Sequence, residues 1–293
     1  MNVILTVAEI VAPVFLLAAL GFAWVKLGYE YRVGFVTQLA MTLSIPCLIF
    51  TALMQTEIDI GSISAISLAT IVVYALITIV FWGGIKIAGL SRRTYLAPLI
   101  FGNTGNLGLP LALFAFGDVG LGYAVVIFAI MGIYAFTFGV WLVSSGGSPL
   151  AVIKEPLVAA TILGGVFLWQ GWETPTFLTN SLTLIGQLAI PLMLITLGVA
   201  LARLQPTKLG LTAALSIVKA VVCIGVATFV GIWFQLNNVA LAVLILQVGT
   251  PVAVTSYLLA EKYGADAEAV AGLVVISTLM SVGILPLILV FVI

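Results

Sequence analysis

Gly102-Asn103-Thr104-Gly105-Asn106-Leu107-Gly108-Leu109-Pro110 lies inside a long apolar run, yet it is a poor way to write a continuous helix. Its glycines weaken the turns in which they sit, and Pro110 both lacks an amide donor and crowds the turn before it. A helix interrupted between about 95 and 115 is expected. A second run, about 238–260, carries a counterpart in Gln247-Val248-Gly249-Thr250-Pro251, with Thr255 and Ser256 one turn later. Two apolar helices are therefore interrupted at corresponding points by polar residues.

The rest of the chain explains what surrounds them. Hydrophobic residues make up 63% and charged residues only 7% of the 293, and mean hydropathy is +1.34. A water-facing domain of this size needs roughly 25% charged residues, so lipid is the solvent and a soluble protein is excluded. Barrel strands alternate apolar and polar over about 10 residues, whereas these runs stay apolar for about 20, so the spans read as helices. The fold class is all-α integral membrane, with ten transmembrane helices near 3–26, 35–54, 63–89, 95–115, 121–145, 151–170, 179–202, 208–234, 238–260 and 267–292. The apolar run from the first residues to Trp24 lacks a basic leader, so residue 1 is the expected mature start.

Numbering the loops alternately puts Lys26, Arg32, Lys86, Arg92, Arg93, Lys154, Arg203, Lys208 and Lys262 on one side, with Glu57, Asp59, Asp118 and Glu173 on the other. Positive charge stays cytoplasmic, so a multi-pass inner (plasma) membrane protein with both termini extracytoplasmic is expected. The halves also resemble each other. Pro13, Gly21 and Gly28 match Pro156, Gly164 and Gly171 at an offset of 143, Ile45-Pro46 matches Ile190-Pro191, and Gly108-x-Pro110 matches Gly249-x-Pro251. Five spans per half is odd, so residues 1–146 and 147–293 read as inverted repeats within one membrane domain. Inverted repeats with interrupted helices near the midplane are the architecture of secondary transporters.

In that reading freed backbone groups and half-helix N-termini form the binding site. Its expected members are Asn103, Thr104, Asn106, Pro110, Gln247, Thr250 and Pro251; the plainer account is a pair of proline kinks, which the added amides and hydroxyls and the repeat symmetry outweigh. Two ionisable residues fall at membrane depth. Lys219 lies eleven residues past Lys208, roughly 16 Å deep, and Glu9 a turn or two inside the first span. A role in charge or coupling is expected for both, against a structural staple for the lysine and an interfacial position for the acid. There is no histidine, and Cys47 and Cys223 lie in separate apolar runs, so neither metal, disulfide nor other cofactor is expected.

The stretch Gly102–Pro110, with Gly249-Thr250-Pro251-Val252-Ala253-Val254 and Leu259-Ala260-Glu261-Lys262-Tyr263-Gly264, resembles the auxin efflux carrier family. That family includes the plant PIN auxin carriers and bacterial permeases, some associated with malonate and other organic anions. The resemblance covers essentially the whole chain. The halves join near Ser144–Pro149 without the long hydrophilic loop of many plant members, so plant-type regulation does not carry over. The resemblance implies the fold of the bile-acid sodium symporters, with spans 1, 2, 6 and 7 as scaffold, spans 3, 4, 5, 8, 9 and 10 as transport domain, and an elevator-like movement between them.

The function expected is a secondary transporter for a small organic anion or carboxylate, sodium-independent and not an enzyme. The alternative is a sodium-coupled symporter of the bile-acid type, for which few intramembrane acids are available. A sensor or membrane enzyme would need a nucleophile motif, a metal cluster or a soluble domain, and none is written here. The partners expected are the solute and the lipid bilayer, with room for a homodimer and none for nucleic acid.

Overall fold

A computed structural model describes residues 3–144, 156–204 and 209–292. The join between the halves, Lys154 and Lys208 lie outside the described residues. The protein is all-helical. In chain order the helices are α1 (Val3–Lys26), α2 (Val33–Leu39), α3 (Ile45–Met54), α4 (Ile60–Ile87), α5 (Arg92–Ile100), α6 (Leu109–Tyr134) and α7 (Val140–Ser144). They continue with α8 (Pro156–Gln170), α9 (Thr176–Gln187), α10 (Ala189–Arg203), α11 (Leu209–Trp233), α12 (Asn238–Val248), α13 (Val254–Tyr263) and α14 (Ala267–Val292). Wider π-helical turns join α2 to α3 (Ala40–Ser44), lead into α6 (Thr104–Gly108) and join α6 to α7 (Ala135–Gly139).

Helix ends follow local chemistry. The Asp59 carboxylate accepts from the Ser62 amide at 2.8 Å and starts α4, and Asn237 Oδ1 accepts from the Ala240 amide at 2.9 Å and starts α12. Gly264 takes the left-handed conformation (φ 68°) that closes α13, one that a side chain would disfavour.

Among the described residues, 7 helical runs are long and apolar enough to cross a membrane, and Pro156–Gln170 and Asn238–Val248 are shorter apolar helices. The longest, Thr104–Ser144 at 41 residues, is not one rod, because Gly117 (φ 62°, ψ −153°) leaves the helical region between the parts expected as separate spans. Large apolar side chains such as Ile4, Ile79, Ile87 and Phe291 stay exposed, as they do when the surroundings are hydrocarbon.

Packing falls into two groups. α1 lies along α10, and α3 against α8 and α9. In the other group α6 packs on α12, α11 on α14, α12 and α4, and α4 on α5 and α6. Glycine sets the α1–α10 approach: a Cβ on Gly21 would overlap the Ile195 carbonyl, and one on Gly198 the Ala18 carbonyl. Small residues of this kind are what let membrane helices meet backbone to backbone.

Candidate functional site: the crossing of two broken helices

The first interruption runs through Phe101, Gly102 and Asn103, where the chain leaves α5 in extended conformation (Phe101 φ −91°, ψ 116°) before the π-helical turn. It takes in Gly102, the first of the glycines expected to weaken the helix, and lies upstream of Pro110. Pro110 occupies the first turn of α6, where a missing N–H costs little, so it starts the second half-helix rather than breaking the first. The second interruption lies between Val248 and Val254, and there Pro251 does fall in the break. Thr250, preceding it, is disfavoured from continuing a helix.

The two breaks meet. The Asn103 amide donates to the Pro251 carbonyl at 2.7 Å and the Ala253 amide to the Phe101 carbonyl at 3.4 Å, making an isolated antiparallel bridge between Gly102 and Val252. Glycine allows the contact, since a Cβ on Gly102 would overlap Thr250 Oγ1 and one on Gly108 the Gln247 side-chain oxygen. On the far side, Lys219 Nζ donates to the Thr250 carbonyl at 2.8 Å, Thr250 Oγ1 donates to the Gln247 carbonyl at 2.6 Å, and the Val252 amide donates to Ser277 Oγ at 3.0 Å.

Backbone is thus largely satisfied at the crossing, but side chains are not. Asn103 Nδ2, Thr104 Oγ1 and both side-chain polar atoms of Gln247 are buried with no hydrogen-bond partner. Asn103 is 4% exposed and Thr104 and Gln247 0%, so water does not supply the missing bonds from a surface. Unused capacity of this kind costs about 1–3 kcal/mol per group and calls for an explanation.

Asn103 and Asn106 open onto a cavity of about 90 Å³, with Phe128, Met193, Thr255 and Ser256 in its wall. It shares Met41, Asn106, Met193, Val254 and Thr255 with a neighbouring cavity of about 270 Å³ that reaches Thr37, Thr196, Arg203 and Tyr257. The polar crossing therefore has an approach from the Arg203 end. All three π-helical turns contribute: Ala40 and Met41 from the first, Asn106 from the second, Ala135 and Phe136 from the third. The N-terminal residues of α13, Val254 to Ser256, face the same space, and helix N-termini carry partial positive charge.

Of the residues singled out in sequence, Asn103 and Asn106 line the cavity, while Thr104, Pro110 and Gln247 pack behind it. Thr250 and Pro251 face a separate small space with Lys219. Glu9 is not brought in. It lies on the exposed side of α1, whose buried face is Val7, Ile10, Val11 and Val14, and it lines neither cavity at the crossing. Sequence reading missed Ser277. A serine in a membrane helix commonly bonds back within its own helix, as Thr278, Ser281 and Ser277 itself do here, so nothing in the sequence separates the one that also accepts from across the crossing.

The family model described as membrane transport protein matches the chain twice, over residues 6–152 and 145–289. An uncharacterised transporter of Methanothermobacter thermautotrophicus is 27% identical over 95% of this chain and 96% of its own length. A protein of Rhizobium meliloti named putative malonate transporter is 24% identical over 94% of this chain and 92% of its own. An uncharacterised transporter of Methanocaldococcus jannaschii is 26% identical over 64% of each chain. The chain belongs to the membrane transport protein family, the auxin efflux carrier family that its motifs resemble.

Proposed function

We propose that this member of the membrane transport protein family is a secondary transporter for a small carboxylate, bound at the crossing and exposed to each side in turn. One observation carries the reading: the buried, unpartnered side-chain Nδ2 of Asn103 sits at a cavity that the neighbouring helix N-terminus of α13 makes favourable for an anion. An incoming carboxylate accepts the bonds that the fold leaves open there, and Asn106 and Thr255 extend the donor set into the larger cavity. Malonate is the first probe, because it is the solute in the name of the Rhizobium relative.

The reading includes ten spans in two inverted halves, with the short and broken helices counted as spans, and the basic ends cytoplasmic. The α1, α2–α3, α8 and α9–α10 group would be the scaffold. The group holding both broken helices would carry the site past it as an elevator. Support comes from the packing, which places α4, α5, α6, α11, α12 and α14 against one another. Transport is taken to be sodium-independent, because the Lys219 ammonium already occupies the Thr250 carbonyl and would repel a second cation nearby.

Flux into proteoliposomes tests this. Purified protein should take up malonate or another member of a mono- and dicarboxylate panel, in competition with unlabelled solute and without need of a sodium gradient. No flux of any panel member would sink the carrier reading, and flux that requires sodium would favour the symporter alternative.

A further inference from the structure

Lys219 is 2% exposed, midway along α11, and forms no salt bridge among the described residues. It does not line the cavity of Asn103 and Asn106. Its ammonium sits on the opposite face of the crossing, bonded to the Thr250 carbonyl, in a space of about 10 Å³ bordered by the hydroxyl residues Ser216, Ser277 and Ser281. That is room for about one water molecule, so no substrate shares this space. The lysine is nevertheless coupled to the site, because Thr250 packs directly against Gly102 in the same crossing and α11 packs on α12, α14 and α4. Wherever the crossing moves, this charge goes with it.

A charge carried through the membrane field does electrical work, whether it belongs to the solute or to the protein. We propose that Lys219 is a travelling counter-charge, cancelling one negative charge of the bound carboxylate, so that one elementary charge of voltage dependence belongs to the return of the empty carrier instead of the passage of the loaded one. This rests on the anion-carrier reading above. A monocarboxylate then crosses in a nearly electroneutral complex, and a dicarboxylate in one of net charge near minus one. The empty site returns as a cation. The device also explains why a membrane-buried ammonium has no carboxylate partner among the described residues: its partner is the cargo.

The test compares self-exchange, in which only loaded carriers cross, with net flux, which includes the empty return. Full-length protein in liposomes is given labelled lactate or malonate, with membrane potential set by potassium and valinomycin. In the wild type, lactate exchange should be flat with voltage, while net lactate flux should change several-fold per 100 mV. One full elementary charge shifts an inward-to-outward ratio about fiftyfold per 100 mV. Lys219→Met should reverse the pattern, making exchange of either probe steeper by one charge and net return flatter, while Lys219→Arg should behave as wild type. Equal voltage dependence of exchange in wild type and Lys219→Met would overturn the proposal. Should the Met variant not fold, the wild-type contrast between lactate exchange and net flux decides alone, and equal sensitivity of the two overturns it. Absence of flux of both probes and of every other carboxylate in the panel would remove the carrier reading and this one with it.

Discussion

The α1–α10 seam and the crossing of the broken helices both bring chain against chain through glycine, but they are finished in opposite ways. At the seam, Gly21 and Gly198 face backbone carbonyls within intact helices, and the surroundings are apolar: Val14, Ala18, Leu194 and Leu197 are buried around them. At the crossing, Gly102 and Gly108 face the polar ends of Thr250 and Gln247, and buried amide groups are left without partners. Close approach alone therefore marks tight packing. Close approach combined with unused hydrogen-bond capacity is what supports the proposal of a binding place at the crossing.

The comparison breaks most visibly at the seam. Gly198→Val should force α1 and α10 apart, costing about 3 kcal/mol as an overpacked contact with no side chain free to yield. Its thermal midpoint in detergent should fall further than that of any crossing variant, and a near-normal midpoint would show that the seam is loose. Asn103→Ala should do the reverse. Loss of a hydrogen bond to a charged solute, worth about 1.5–3 kcal/mol, weakens apparent affinity for malonate roughly 10- to 100-fold, while stability holds because Nδ2 has no partner to lose. If midpoint and affinity drop together, Asn103 is a structural residue and the distinction between the two regions fails.

Gln247→Leu sharpens the point. Replacing two unpartnered polar atoms with leucine's shorter apolar branch should raise stability of the solute-free protein by about 1 kcal/mol. A lowered midpoint would mean that the amide is satisfied in the resting protein. Ser277→Ala, which removes the acceptor for the Val252 amide, should likewise shift stability by about 1 kcal/mol, here downward, with most of the flux retained. Loss of flux without loss of stability there would move Ser277 from supporting the crossing to contacting the solute.

Much of the architecture was legible because lipid imposes so strong a rule on composition. Long apolar runs follow from the need to pair every backbone group in hydrocarbon, and the two interruptions show in sequence because glycine and proline are the residues that weaken a helix. The legible part ended where one residue type has several uses. Pro110 and Pro251 look equivalent in sequence, yet one opens a helix and the other lies in a break, and only the paths on either side distinguish them. Glu9 is as rare in composition as Lys219, but the lysine is buried against a carbonyl and the acid is exposed, a difference of helix facing that a nearly uniform apolar run does not encode. The π-helical turns have no sequence signature of their own, and only the structure shows that residues from all three line the cavities.

The bridge at the crossing also bears on how the protein is made. Asn103 finds its acceptor, the Pro251 carbonyl, about 150 residues later in the chain. At ribosomal speeds of about 5–20 residues per second, that partner emerges roughly 7–30 s after Asn103 itself. Throughout that interval the extended Phe101–Asn103 segment has entered or approached the bilayer with its backbone groups unpaired, a state lipid penalises by several kcal/mol per group. The nascent first half must therefore linger beside the insertion machinery, keep that segment at the watery rim, or borrow a temporary partner until synthesis is nearly complete. A chain stopped after Ser144 should be caught in that waiting state, extractable or rapidly degraded, and regain a stable place in the membrane when the second half is supplied as a separate polypeptide.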